Sequence, residues 1–405
     1  MIRRRLARAL LGFVVPLSLA CSACGGAAIG GSAAVGVSPA APVRPSAAAT
    51  RAAAQPSCPV RVFSAMTPAQ RVGQLFLVGA AGAAGPEAAS AVAAYHFGSL
   101  LFGTTTSADA ARIRQLTSAA QALASSPATA WVRLFIAADQ EGGEVQRLQG
   151  EGFATMPSAL AQGALPSGAL QRLAAGWGRE LRWAGVNLDL APVMDVVPAG
   201  TASQNAPIGM LAREFGDDPR TVAAHGVAFI RGMQQTGVAT TAKHFPGLGR
   251  VRGNTDVTAG VVDTVTGPDD PYLAGFQAAI DAGVPFVMVS LASYPRIDPH
   301  HLAVFSPRVL RGLLREQMRF RGVIVSDDLG AAAAVAGMSP AARAIGFLAA
   351  GGDMITSVSF PVAAAMDQAV RSRAAGDPAF RADVDSAVLR VLAAKQAYGL
   401  LPCAR

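Results

Sequence analysis

The chain has 405 residues, 51% of them apolar, and a formal charge of +8. An α/β barrel needs about 250 residues or more, so this length supports one large core and does not require a second domain. Arg3, Arg4, Arg5, Arg8, Arg44 and Arg51 lie in the first 57 residues, where there is no Asp or Glu; without those six the remainder carries +2. A fold so near neutrality has no broad basic field for phosphates, and basic residues are not interleaved with aromatics, so nucleic acid is not an expected partner.

Residues 1–20 read as an export signal: a basic run from Arg3 to Arg8, an apolar stretch from Ala9 to Leu19, then small residues up to Cys21. The apolar stretch is short for a membrane span. Leu17-Ser18-Leu19-Ala20-Cys21 resembles a bacterial lipobox, which implies acylation of Cys21 and a lipid anchor in the cell membrane; Cys24 is the alternative acceptor, and an ordinary cleaved signal is the plainer reading. From Gly25 to Ser57 the chain is almost entirely Ala, Gly, Ser, Pro and Val, the composition of a disordered tether, so residues 21–57 are expected to hold a domain of residues 58–405 off the membrane. Cys58 and Cys403 stand at the two ends of that domain. In an oxidising compartment, with domain ends often close together, they point to a disulfide; two free thiols are the alternative.

Along the domain, short apolar or β-branched runs alternate with longer helical patterns, as in repeated βα units with a parallel sheet. The runs are Gln74 to Gly79, Gly98 to Phe102, Leu134 to Ala138, Val186 to Leu190, Val238 to Ala242, Phe286 to Ser290, Val323 to Ser326 and Asp353 to Thr356. Helical spacing marks Ala108 to Ala124, Leu170 to Ala184, Arg220 to Gln235 and Pro271 to Ala282. Eight such units close most simply into a (β/α)8 TIM barrel. A doubly wound open sheet is the competing fold, but no GxGxxG follows the first run. The unusual polar residues all follow a run: Asp139 to Gly143, Asp195, Lys243 to Gly247, and Asp327-Asp328. That is the barrel rim on which active sites are assembled.

A carboxylate at Asp327, held at a strand end in a partly dry mouth, can attack an anomeric carbon or stabilise an oxocarbenium-like transition state. One of the Asp327-Asp328 pair is expected to be the N-cap of the following helix, and Asp328 is assigned that task. Lys243 is one of only two lysines in an Arg-rich chain, the other being Lys395, which suggests a need for a compact ammonium donor. His244 adds a ring donor, while Asp139 and Arg147 offer a hydroxyl acceptor and a forked donor, or else a buried ion pair that shapes the loop. His300-His301 has no ligand constellation around it, so neither a metal nor a cofactor is expected.

Taken together, Ala138 to Gly143 with Val145-Gln146-Arg147, Asn187 to Asp195, Ala212 to Gly216, Lys243 to Gly247 and Ser326 to Leu329 resemble glycoside hydrolase family 3, particularly its single-domain bacterial β-N-acetylhexosaminidases, over Met66 to Tyr398. The resemblance implies a retaining hydrolase, here expected to act as a monomer on amino-sugar glycans of the cell wall or related polymers. Asp327 would be the nucleophile, and Asp139, Arg147, Arg213, Lys243 and His244 would grip the sugar hydroxyls. One departure stands out. These enzymes carry an Asp-Ser-His loop whose Asp and His serve together as acid/base, and here Asn254 and Asp256 occupy those two places. A histidine with an ordinary pKa of about 6.5 shuttles protons at neutral pH, whereas an Asp of about 3.9 must be raised to do so. Three outcomes stay open: Asp256 serves as acid/base; an anion such as phosphate, near Arg250 and Arg252, accepts the glycosyl group; or the domain is a non-catalytic glycan-binding lipoprotein.

Overall fold

The computed structural model describes residues 56–79 and 86–404. The expected signal, tether, Cys21 and Cys24 lie outside the described residues, apart from Pro56 and Ser57. Eight strands form the barrel: β1 (Phe76–Gly79), β2 (Ser99–Phe102), β3 (Phe135–Ala138), β4 (Leu188–Asp189), β5 (Ala239–Phe245), β6 (Phe286–Val289), β7 (Val323–Asp328) and β8 (Met354–Ser357). Each pairs in parallel with its neighbours in sequence, and β1 pairs with both β2 and β8, which closes the barrel and removes the open-sheet alternative. Every strand overlaps one of the eight predicted runs. Most are buried throughout, because helices cover the outer face and side chains fill the inside.

Helices α1 (Cys58–Ala65) and α2 (Pro68–Gly73) precede β1. The strands are then followed in turn by α3 (Pro86–Ala93), α4 (Ala110–Ala122), α5 (Ser167–Trp183), α6 (Pro219–Gln234), α7 (Ala274–Asp281), the π-wound α8 (Arg308–Gln317), α9 (Pro340–Ala350) and α10 (Phe360–Gly376), and α11 (Pro378–Ala397) ends the series. Their starts follow local chemistry. Thr67 and Gln70 form a reciprocal capping box, and Asp109, Asp218, Ser339 and Asp377 cap through side-chain oxygens, three of the last four just before a proline that cannot donate anyway.

Strand register decides which side chains face the axis. Leu101, Met288 and Thr356 line the mouth, and the same parity runs round the barrel through Leu77 beside Ser99, Ser99 beside Phe135, Ala137 beside Leu188, Leu188 beside Ala239, Thr241 beside Phe286, Phe286 beside Val323, and Val325 beside Met354. Because side chains alternate along a strand, two steps further along β3, β5 and β7 bring Asp139, Lys243 and Asp327 inward at the same end.

The other end is closed. Lys395 on α11 is fully buried, and its ammonium donates to Gln74 Oε1 at 2.7 Å, Gly98 O at 2.7 Å and Arg133 O at 3.0 Å, groups just ahead of β1, β2 and β3. Arg390 donates to Asp353 at 2.6 Å ahead of β8, and the Tyr398 ring packs on Phe135. Helix α1 lies against α11, and a disulfide joins Cys58 to Cys403 with their Cα atoms 6.1 Å apart. Among the described residues no helix is long and apolar enough to cross a membrane.

Candidate active site

Asp327 does not follow β7 but belongs to it: the strand runs on to Asp328, which pairs with Thr356 of β8 after a register shift. Strand β5 likewise extends past the predicted end at Ala242 to include Lys243 and His244. Polar residues end the apolar pattern without ending the hydrogen-bonded ladder. Asp327 accepts the Asp328 amide at 2.9 Å. Asp328, which also lines the mouth, accepts from the amides of Gly330 (2.8 Å), Ala331 (3.0 Å) and Val358 (3.0 Å); it braces the loop and is not the expected helix N-cap, because the next α-helix, α9, starts well downstream and is capped by Ser339. Arg343 on α9 fixes the same loop by donating to Leu329 O at 2.8 Å and Met338 O at 2.9 Å. Burial pushes the Asp327 carboxyl up to about 6; the His244 charge opposes this and the Asp256 charge adds to it.

On the opposite wall the cations are wired to carboxylates. Lys243 Nζ lies 2.6 Å from Asp139 Oδ1 and 2.6 Å from Glu141 Oε1. Arg213 forks onto Glu141 at 2.8 and 2.7 Å and donates to Pro207 O at 2.7 Å. Burial raises the Glu141 carboxyl, but Arg213 and Lys243 overcome that and hold it well below the ordinary range. Burial in turn depresses Lys243, and Asp139 and Glu141 outweigh it, so the ammonium stays charged. With two of its three N–H groups spent on these carboxylates, Lys243 keeps one for a ligand. Asp139 therefore pairs with Lys243 and not with Arg147. The Arg147 guanidinium reaches Thr105 Oγ1 at 3.3 Å and has no ion-pair partner among the described residues. Glu141 is a central member that the sequence reading quoted within a motif without giving it a role. Its loop is tight: Gly142 has φ +100°, and a Cβ there would meet Pro157 O at 2.2 Å.

Asp195, past the end of β4, was placed on the rim without a task. It accepts His244 Nδ1 at 2.8 Å, the His244 amide at 3.2 Å and the Leu248 amide at 2.8 Å, fixing both the ring and the turn after β5. Asn205 pins that turn further through Leu248 O and Val251 O at 2.8 and 2.6 Å.

The departing loop is held by its backbone. Asn254 Oδ1 accepts the Asp256 amide at 3.0 Å, and the amides of Ala333 and Ala334, just beyond the Asp327-Asp328 loop, donate to Asp256 O at 3.0 Å and Thr255 O at 3.1 Å. The Asp256 side chain is exposed and lines the same mouth as Asp327. Arg250 is committed elsewhere: it donates to Asp270 at 2.7 Å and Thr266 at 2.8 Å and stacks on Tyr272 at 3.8 Å. Neither it nor Arg252 lines the mouth, so the sequence argument for a phosphate acceptor loses its arginines.

These groups surround one open cavity of about 550 Å³ that Asp139, Arg147, Arg213, Lys243, His244, Asp256 and Asp327 all line, with Leu101, Leu190 and Met288 as its apolar floor. Its carboxylate, ammonium and guanidinium edges over an apolar base suit a polyhydroxylated ring. His300 and His301 stand outside it, exposed, with His301 on Asp298 at 3.0 Å. Among the described residues no group of three or more His, Cys, Asp or Glu is arranged to hold a metal.

The glycosyl hydrolase family 3 N-terminal domain matches residues 67–394. A β-hexosaminidase of Stenotrophomonas maltophilia is 39% identical over 231 residues, 54% of this chain, and the match spans 65% of that protein. Among solved structures, a β-N-acetylhexosaminidase from Beutenbergia cavernae superposes with a TM-score of 0.81 at 48% identity, covering 82% of this chain and 99% of that one. A family 3 β-N-acetylglucosaminidase from Paenibacillus sp. superposes at 0.75 with 30% identity, covering 83% of this chain and 63% of that one. With the catalytic-type carboxylate, the Lys-His turn and the Asp139 to Gly143 loop meeting in one mouth, and with the family match running nearly the length of the barrel, the chain belongs to glycoside hydrolase family 3.

Proposed function

We propose that this protein is a retaining β-N-acetylhexosaminidase that removes β-linked amino sugars from cell-wall or related glycans. One observation carries the reading: Asp327 faces inward at the top of β7, and the loop bearing Asp256 is hydrogen-bonded to the segment that follows it, so both carboxyls line one mouth. In the first step the Asp327 carboxylate attacks the anomeric carbon while the bond to the leaving oxygen breaks, and the Asp256 carboxylic acid supplies that oxygen with its proton. The glycosyl ester is then opened by water, whose proton returns to Asp256. Asp139, Arg147, Arg213, Lys243 and His244 hold the sugar. The names of the relatives in Stenotrophomonas and Beutenbergia support an N-acetylamino sugar as the substrate.

Asp327→Asn is expected to abolish release of an aryl group from an aryl N-acetylglucosaminide. Asp256→Asn should spare that activated substrate, which needs little protonation, and lose a natural disaccharide. If the unaltered protein cleaves neither substrate while amino sugars still protect it against thermal unfolding, a glycan-binding role replaces the enzyme.

We further propose that the domain is exported and anchored through Cys21, and that it acts as a monomer, since the mouth is complete within one chain. The Cys58–Cys403 disulfide supports an oxidising compartment. Labelled palmitate should enter the protein in the producing cell and be lost in Cys21→Ser but not in Cys24→Ser; the reverse pattern would move the anchor.

A further inference from the structure

At the closed end of the barrel a polar pocket of about 230 Å³ opens between α4, the end of α5 and the turn after α11. Most of its polar lining is already used. Gln121 exchanges two hydrogen bonds with the Leu134 backbone, Asn187 bridges Ile136 N and Leu134 O, and Thr117 donates to Ala184 O. What remains is cationic. Arg133 and Arg182 both line the pocket, both are exposed, and neither side chain makes an ion pair or hydrogen bond among the described residues. Arg213, Arg250, Arg315 and Arg390 all sit against carboxylates, yet no Asp or Glu lines this pocket. Behind the wall the buried Lys395 side chain donates to the Arg133 carbonyl at 3.0 Å, but burial brings its pKa down to about 7, so the positive charge of the pocket rests on the two arginines. Two guanidinium forks, the hydroxyls of Ser118 and Tyr398, and no competing acid make a receptor for a tetrahedral oxyanion.

The surroundings are also unusual. Trp131 and Trp183 are 60% and 50% exposed, and each stands within two residues of one of these arginines. Trp131 is held outward on a left-handed backbone with φ +63°, which aromatic residues seldom adopt. Trp183 is stacked by the Arg114 guanidinium at 4.9 Å and borders a separate groove with Asp109, Glu151 and Glu180, which leaves Trp131 as the exposed aromatic suited to the interface of an anionic lipid layer.

We propose that this pocket binds a phosphate group, either as the free anion or as the headgroup of an anionic lipid. The test uses the full chain. Inorganic phosphate should raise its unfolding temperature saturably, and Arg133→Gln/Arg182→Gln should weaken the midpoint at least tenfold, while Arg147→Gln at the mouth leaves it unchanged. In a Cys21→Ser/Cys24→Ser background, co-sedimentation with phosphatidylglycerol vesicles, but not phosphatidylcholine vesicles, should fall by a similar factor when the two arginines are replaced. Loss in both arms assigns the shared phosphate chemistry, and loss in the vesicle arm alone assigns the headgroup. If neither ligand binds, or binding is undiminished in the double variant, the proposal is overturned. The two side chains make no hydrogen bond or ion pair among the described residues, so the variant should keep its unfolding temperature in buffer; if it does not, Arg182→Gln alone carries the comparison.

Discussion

Asp327 sits between opposing influences, and its protonation should be visible in kinetics. Burial lifts it to about 6, so the ionised carboxylate is lost as pH falls through that value; with Asp327 as the proposed nucleophile, kcat/KM for an activated aryl glycoside should decline on the acid side there. Asp256 contributes to the rise, so Asp256→Asn should move that limb to lower pH; a limb that stays put would separate the two carboxyls. The same shift has a stability sign. A carboxyl whose folded pKa exceeds its unfolded one costs stability progressively as pH rises between the two values, in full above about pH 6 and not at all well below pH 4. Asp327→Asn should therefore raise stability at pH 7.5, by up to about 3 kcal/mol, and leave it unchanged at pH 3.5. Glu141 behaves oppositely. Glu141→Gln strands the buried Arg213, while Lys243 keeps Asp139, and should cost about 3 to 5 kcal/mol in denaturant titrations.

Strands were the legible part of the string, because eight apolar runs bury on both faces and turn chemistry brackets each one. The tops of β5 and β7 were not: Lys243, His244, Asp327 and Asp328 look like loop by hydropathy, yet continue the ladder. All seven predicted mouth residues meet, since parity at strand tops is enough to bring Asp139, Lys243 and Asp327 together. The wiring among them was hidden. Lys243 and Asp139 are 104 residues apart, Arg213 and Glu141 72, and no local pattern encodes such pairings. Lys395 shows the same limit: it was noted for its rarity, but its role as the stud of α11 depends on three acceptors from three separate strand entrances. Lys395→Met keeps the apolar stem and leaves those acceptors without a donor, with an expected loss of roughly 2 to 4 kcal/mol by chemical unfolding. An unchanged unfolding midpoint would show that water takes over the bonds.

The molecule as a whole divides into a working rim and a fastened base. The Cys58–Cys403 bond spans 345 residues of sequence, so opening it releases a long loop in the unfolded chain, worth up to about 5 kcal/mol in the chain-entropy picture. Reduction should lower the unfolding temperature while leaving the initial rate on an aryl glycoside unchanged, because the bond lies at the end remote from Asp327. A parallel loss of rate would mean that the base and the rim are mechanically coupled.

The two described chain ends, Pro56 before α1 and Ala404 after α11, emerge together on the stoppered side. An attachment made at either of these described ends therefore grips the molecule by its handle and leaves the bowl that Asp327 lines unobstructed.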